Sequence, residues 1–455
     1  MAVDRSRLPA LGPEPPFRFP EIRRRTLPNG LAVWTVEQHA VPLISFLVLV
    51  PVGAAADPPD RPGLAAITSD MLDEGCGDLS VIELHDALGR IGGHLDAEIG
   101  SDATIVTLTS LARFAGRGAA LLADMLLRPR LEARDFERVR ELRLNRLTQI
   151  RDMPPALADR AFAQLLYPDH PYGHLPIGTE ASLRAMALSE IGAFHRATFA
   201  PSRITVVASG DATHEELAGL VNEAFGGWVG DPSSAADPRR LPAAPPSPSG
   251  RIAVLHRPDA AQSELRVGHV GVSRATPDYH PLLVLNMVLG GQFVSRVNMK
   301  LREEKGYTYG ARTSFDFRRG PGPFSLQASV QSEMTVDAVL DALSELRDIR
   351  GDRPVSKAEL ETGRAALTRG YPRNFETAEQ ISRGAAQLAL YGLPDDYFST
   401  FVPKVLAVTE ADVTRVAMEH IDPSRLLTVI VGDRDKIGPS LPRLNLGVVT
   451  EVPAA

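Results

Sequence analysis

The chain is poor in the features that most readily betray a chemistry. Among 455 residues there is one cysteine, Cys76. A single thiol excludes an intrachain disulfide and leaves the redox compartment undetermined. In the turn-like EGCGD it reads as a small packing residue rather than a nucleophile. Positive charge is not in surplus: 49 Lys and Arg stand against 56 Asp and Glu, a net of −7, which argues against a nucleic-acid or other polyanion-binding role. The basic run Arg23-Arg24-Arg25 is too short to change that and reads as solvated surface. No uncharged apolar stretch approaches the roughly 18 residues of a membrane span. The longest candidate, 41–56, is rich in Val, Leu and Pro and reads as buried strand. The N-terminal segment lacks the apolar run of roughly 7–15 residues typical of a secretory signal. A cytoplasmic location is therefore expected, with a periplasmic one left open. None of the 11 histidines forms an H-x-x-E-H or H-E-x-x-H pair. His170 and His174 are four apart, but Pro171 and Gly173 break any helix between them, so they read as loop histidines.

What the chain does have is the composition of a soluble globular protein, 44% hydrophobic and 23% charged, and length for about two to four domains. Residues 230–250, GDPSSAADPRRLPAAPPSPSG, are rich in Pro, Ser and Ala and read as a linker between two halves, 20–229 and 251–440. The halves are alike near their ends. PSRITVVASGD at 201–211 and PSRLLTVIVGD at 423–433 share six of eleven positions, which points to a duplication.

Each half reads as strands, then helices, then a returning strand. In the first, 31–37 and 43–52 are β-branched and apolar behind the turn Pro28-Asn29-Gly30, and 103–111 alternates as a strand. Ser80 and Glu83 form a capping box ahead of a helix over 80–91, and helices follow over 114–127, 132–153 and 155–166. In the second, strands are expected at 251–256, 263–271, 309–317, 324–331 and 426–431. Helices are expected at 279–289, 294–305, 336–349, 358–371, 378–390 and 409–421. The fold class is α+β, with two similar domains, each an antiparallel-rich sheet covered by helices.

Several long stretches resemble the insulinase-like (pitrilysin-type) metallopeptidase family. LPNGLAVWTVEQHAVPLISFLVLVPVGAAADPP is similar to its opening hairpin, and HPYGHLPIGTEASL, from His170, to its mid-domain segment. AAQSELRVGHVGVSRATPDYHPLLVLNMVLGGQFVSR is similar to the start of its second domain. The resemblance runs from about Arg24 to about Asp433. It implies two such α/β domains per chain, and a clamshell, made of two chains or one double-length chain, around a chamber for unfolded peptides.

The resemblance also exposes a loss. Gly63–Leu72, GLAAITSDML, lies over the family helix that carries H-x-x-E-H, usually worded close to GLAHFLEHML. Ala66 and Asp70 stand at the two zinc-binding histidines and Ser69 at the catalytic glutamate. Arg146, in FERVRELRLNRLTQI, stands at the third ligand, a glutamate. Zinc hydrolysis needs neutral imidazoles to hold the ion and a carboxylate to deprotonate its water, and these positions supply neither. With no metal between them, Asp70 and Arg146 are expected to form an ion pair.

The second half keeps what the first has lost. LREEKGYTY at 301–309 resembles the family's LREEKGLAY, where an arginine and a tyrosine seven positions apart reach the active site of the facing domain. Here they are Arg302 and Tyr309; Tyr307 fits the register less well. A guanidinium and a hydroxyl suit the negative charge that water attack builds on a peptide carbonyl oxygen. Gly290-Gly291-Gln292-Phe293 resembles the family's glycine-containing loop before S-x-R, here at Ser295 with Arg296 one place early. It reads as a chamber-wall loop or a tight turn. The strand at 324–331 or its neighbour is expected to offer an edge to an extended peptide.

The resemblance thus implies the metal-free subunit of a heterodimeric zinc peptidase. Its H-x-x-E-H-bearing homologous partner would hold the zinc, and this chain would supply Arg302 and Tyr309 in trans. It would bind no metal and no nucleic acid and would not span a membrane, and unfolded peptide would be the substrate. The rival reading is a structural, assembly or peptide-binding scaffold without a role in proteolysis.

Overall fold

The computed structural model describes residues 17–230, 241–247 and 250–453. Most of the 230–250 stretch lies outside those residues. Of the rest, Leu241 and Ala244 pack against a buried cluster, and Ser247 Oγ accepts the Val270 N–H at 2.8 Å.

Two six-stranded sheets organise the molecule. The first contains β1 (Arg23–Thr26), β2 (Ala32–Glu37) and β3 (Leu43–Val50). A small ribbon, β4 (Gly75–Cys76) with β5 (Leu79–Ser80), stands apart; then β6 (His94–Ile99), β7 (Thr104–Leu111) and β8 (Thr205–Gly210) complete the sheet in the order β1-β2-β8-β3-β7-β6. The second contains β9 (Arg251–His256), β10 (Gln262–Val270), β11 (Thr308–Phe315), β12 (Pro323–Gln331), β13 (Leu427–Gly432) and β14 (Val448–Glu451), in the order β11-β12-β10-β13-β9-β14. Read from β6 and β11 inward, five strands correspond one to one. In each half the returning strand runs parallel to the first, β8 along β2 and β13 along β9. The outermost strands differ: β1 is antiparallel to β2, whereas β14 is parallel to β9. Both sheets are antiparallel-rich and helix-covered, as expected.

Alternation within β3 explains its unbroken apolar run. Ile44, Phe46 and Val48 face the first half's own helices, in a core completed by Leu84, Leu122 and Val221. Leu47 and Leu49 point the other way and are covered by Ala385 and Ala386. Those residues lie on the helix Ala378–Tyr391, which belongs to the second half of the sequence. Its Gly384-Ala385-Ala386 stretch permits close approach, and Ser209 Oγ bonds Ala378 O at 2.6 Å and Ser382 Oγ at 2.8 Å. The exchange is mutual. The helix Pro154–Leu166, from the first half, lays Leu157, Ala161 and Phe162 against Leu427, Val429 and Val431 of the second sheet. Strands buried on both faces read as continuous hydrophobic runs, and that is how β3 and β13 read.

Helix signals were accurate where capping was explicit. The Ser80–Glu83 box is present, with Ser80 N–H donating to Glu83 at 2.9 Å. The Arg23–Arg25 run is exposed in β1, where Arg24 stacks on Trp34 at 4.1 Å and pairs with Asp395. Strand 324–331 is not an edge, because β12 lies between β10 and β11; the edge is its neighbour β11. No helix among the described residues is long and apolar enough to cross a membrane.

Candidate functional site

Two clefts collect the residues singled out from the sequence. The first lies at the helix Leu64–Asp70. Gly63 enters it with φ +95°, and a Cβ there would stand 2.9 Å from Gly178 Cα, so the turn admits only glycine. Asp57, fully buried at its side chain, accepts the N–H groups of Gly63 and Ala65, both at 2.7 Å. His174 Nε2 lies 3.0 Å from the same carboxylate. His174 is thus a loop histidine that steadies a helix cap. His170 caps the short turn Pro171–Gly173 through Nδ1, 3.1 Å from Tyr172 N, and burial pushes its pKa down.

Ala66 is fully buried and Ser69 is 5% exposed, while Asp70 looks into a cleft of about 410 Å³ with Asp73, Glu74, Asp96, Arg143 and Arg146. The expected Asp70–Arg146 pair does not form. Asp70 Oδ2 instead takes Arg143 Nε at 2.6 Å. On the helix Ala133–Arg151, Arg143 lies about one turn before Arg146 and its side chain is only 11% exposed, so its guanidinium would be costly without a carboxylate partner. Arg146 lines the same cleft but is exposed. This donor set does not fit zinc. Alanine offers no ligand, Asp70 is held by a guanidinium, and arginine is a donor that cannot be deprotonated.

Two other groups of carboxylates and histidine occur among the described residues. Asp278, Glu419 and His420 are bridged by Arg415, 2.7 Å from Asp278. In the group of His256, Asp433 and Asp435, His256 Nδ1 accepts the Arg434 N–H at 3.1 Å.

The second cleft, about 570 Å³, lies along β11 and holds Arg302, Tyr309, Gly290 and Gly291 together. Gly290 and Gly291 both donate to Asn286 O, at 2.9 and 2.7 Å. A Cβ on Gly290 would stand 2.4 Å from Thr313 N, so the loop can lie against β11 only as glycine. Arg296 is buried, pairing with Glu359 at 2.6 and 2.8 Å and donating to two carbonyls. Burial would raise the Glu359 carboxyl, but the bonds from Arg296 and Ser356 hold it at about 2.

The expected helix 294–305 starts two residues later, at Arg296, and its last turns widen. Met299–Glu304 is a π-helix, with Lys305 N–H reaching Lys300 O at 3.1 Å. Such insertions gather at functional sites. Gly306, φ +67°, ends it. Arg302 comes off this turn with its guanidinium 4.4 Å from the Phe293 ring and 3.4 Å from Glu303.

Tyr309 sits in a bulge. The β11–β12 register shifts between Thr308 and Ala311, so two residues oppose one, and the Tyr309 side chain is 90% exposed. Tyr307, the competitor in register, packs on the core instead. The bulge is fastened by Thr308 Oγ1, which accepts the Gly310 N–H at 3.1 Å, and by Asn298, which accepts the Ala311 N–H at 3.0 Å and donates to Phe293 O at 2.7 Å. Asn298 is 4% exposed and ties the glycine loop, the π-turn and the bulge together. Sequence reading missed it, although its place one helical turn before Arg302 was a usable signal. It also missed Glu264, Arg266 and Arg312, which line the same cleft. Glu264 and Arg266 alternate with apolar residues in β10, as a two-sided strand requires.

These geometries can be set beside known proteins. Residues 33–179 match the family model described as "Insulinase (Peptidase family M16)", and residues 186–367 match "Peptidase M16 inactive domain". An uncharacterized zinc protease of Mycobacterium bovis is 28% identical over 432 residues, spanning 93% of this chain and 96% of its own. Another, from Streptomyces coelicolor, is 22% identical over 91% of this chain and 90% of its own. Among solved structures, a peptidase M16 inactive domain from Pseudomonas fluorescens superposes with a TM-score of 0.85 at 21% identity, covering 91% of this chain and 98% of that one. A protease from Helicobacter pylori gives 0.84 at 20% identity, over 91% and 100%. The chain belongs to the insulinase-like peptidase family M16, as a member that lacks the catalytic H-x-x-E-H motif.

Proposed function

We propose that this chain is the metal-free subunit of a heterodimeric zinc peptidase, forming half the peptide chamber and supplying Arg302 and Tyr309 to the partner's active site. One contrast carries the reading. In the cleft at Asp70 the carboxylate is engaged by Arg143, whereas Arg302 and Tyr309 share a cleft on an edge strand with the Tyr309 ring turned to solvent. Tyr309, highly exposed, is free to meet a ligand.

The roles follow from the groups. Tyr309 donates its hydroxyl to the carbonyl oxygen of the scissile peptide as charge builds there. Arg302, with its guanidinium 4.4 Å from the Phe293 ring, holds the adjoining peptide backbone. The zinc and the base that activates water belong to an H-x-x-E-H partner. No step runs through Ala66, Ser69, Asp70 or Arg146. Donors aimed at a developing oxyanion contribute about 10²–10³-fold in rate. Co-expression with an H-x-x-E-H homologue should therefore give a zinc-containing pair whose kcat/KM falls by about that factor in Tyr309→Phe and Arg302→Ala, with assembly unchanged. Activity indifferent to both substitutions would remove the assignment. A stable pair without peptidase activity would favour a scaffold.

A further inference from the structure

The cleft beside Arg302 and Tyr309 is rich in donors and nearly bare of usable negative charge. Its lining carboxylate, Glu264, is 7% exposed, and both oxygens are engaged: Oε1 accepts from Ser329 Oγ, and Oε2 faces Arg266 Nη1 at 3.3 Å. Arg266 is 4% exposed and spent on Asp159, 2.6 Å away, and on the carbonyls of Pro155 and Leu265. Neither buried group can present itself to a ligand.

Arg312 is different. It is exposed on β11, and its Nε and Nη2 both rest on Gln327 Oε1, at 3.2 and 2.9 Å. A neutral acceptor fixes the guanidinium plane without cancelling its charge. Among the described residues no carboxylate lies within 4.0 Å of it. Gln327 is its cross-strand partner on β12 and lines the same cleft, so the guanidinium is held at the cleft with Nη1 outside that pairing. Arg302, which lines the same cleft, has among the described residues only its half-exposed neighbour Glu303 as a counter-charge.

We propose that this cleft recognises a peptide carboxylate, with Arg312 as the specificity-determining residue and Arg302 beside it; the peptide as ligand rests on the function proposed above. A carboxylate matches a guanidinium fork with two parallel charge-assisted hydrogen bonds, which an amide cannot reproduce and an ammonium opposes. The carboxylate is that of an Asp or Glu side chain or of a chain terminus, and the two sources differ in the peptides that would show them.

The test is fluorescence anisotropy of the full chain at low salt, where such contacts are least screened. Four extended peptides share one neutral sequence. Three are amidated at the C-terminus and carry a central Glu, Gln or Lys; the fourth has the central Gln and a free C-terminus. The Glu peptide should bind about tenfold more tightly than the amidated Gln peptide, and the Lys peptide most weakly. Arg312→Gln should abolish that order without moving the melting temperature, since the side chain is exposed. A gain confined to the free-terminus peptide, and lost in Arg312→Gln, supports recognition of a chain terminus. Equal binding of all four, no binding up to millimolar concentration, or a Glu preference that survives Arg312→Gln overturns the proposal. Any of these leaves the subunit role standing, because that role is read from the zinc-dependent activity of the pair and its dependence on Arg302 and Tyr309.

Discussion

Arg143 turns the loss at Asp70 from an empty position into an occupied one. The Arg143 guanidinium, 11% exposed, would be costly without a counter-charge, and the half-exposed Asp70 carboxylate at 2.6 Å supplies it. Restoring the motif letters should therefore not restore the metal. The triple variant Ala66→His, Ser69→Glu, Asp70→His still meets two arginines, and at the fully buried position of Ala66 an imidazole has to be fitted into a packed interior. Metal analysis of the purified variant should find no stoichiometric zinc; zinc retained through dialysis would contradict this account. The four altered positions were legible in the sequence, since an absent donor is visible in the letters. The identity of the pairing arginine was not. Arg143 and Arg146 share one helix face, and only packing decides which of them turns inward.

At the scale of elements, β11 and the turn before it show what local patterns can and cannot reveal. The residues of LREEKGYTY pointed to Arg302 and Tyr309, and the structure brings both into one cleft. The π-turn and the bulge that aim them were not legible, and the bulge depends on a hydrogen bond from outside the strand. Asn298 supplies it. Asn298→Ala would strand the buried Ala311 N–H, at a cost of about 1–3 kcal/mol, and release the Phe293 carbonyl. Urea unfolding should show that loss, and the peptidase activity of the proposed pair should fall with it as Tyr309 loses its fixed place. A variant as stable as the parent would show that the bulge stands without the clamp. The polar strand β6, HLDAEI, escaped notice for a related reason. Its Asp96 and Glu98 are satisfied by Arg383, both at 2.8 Å, from a helix far away in sequence.

For the whole molecule, the exchanged helices bind the halves more firmly than a linker composition suggests. Without Ala378–Tyr391, Leu47, Leu49 and Val207 would lose their cover. Burying such a side chain contributes about 1.5–3 kcal/mol, so three approach the whole stability margin of about 5–15 kcal/mol. Residues 17–230 expressed alone should aggregate or remain unfolded, and should fold when co-expressed with 250–453. Cys76 provides the readout: it is 1% exposed, and burial pushes its thiol up to about 11. It should be inert to a thiol reagent at pH 8 in the full chain or the co-expressed pair and reactive in the isolated half. A folded, monomeric first half with a protected thiol would refute the exchange as a stabilising feature. The duplication was visible in the letters, but the exchange was not, because each helix carries a face fit for a sheet without naming which one.

That exchange bears on how such a chain could arise. If one half cannot stand alone, the unit that was duplicated was never a free monomer. It fits an ancestral obligate dimer of identical protomers, each lending its partner a helix, later tethered into one chain. Tethering ends the identity that a homodimer imposes on its two sites. One half was then free to give up histidines and gain arginines while the other kept a tyrosine on its bulge, and neither change had to be made twice.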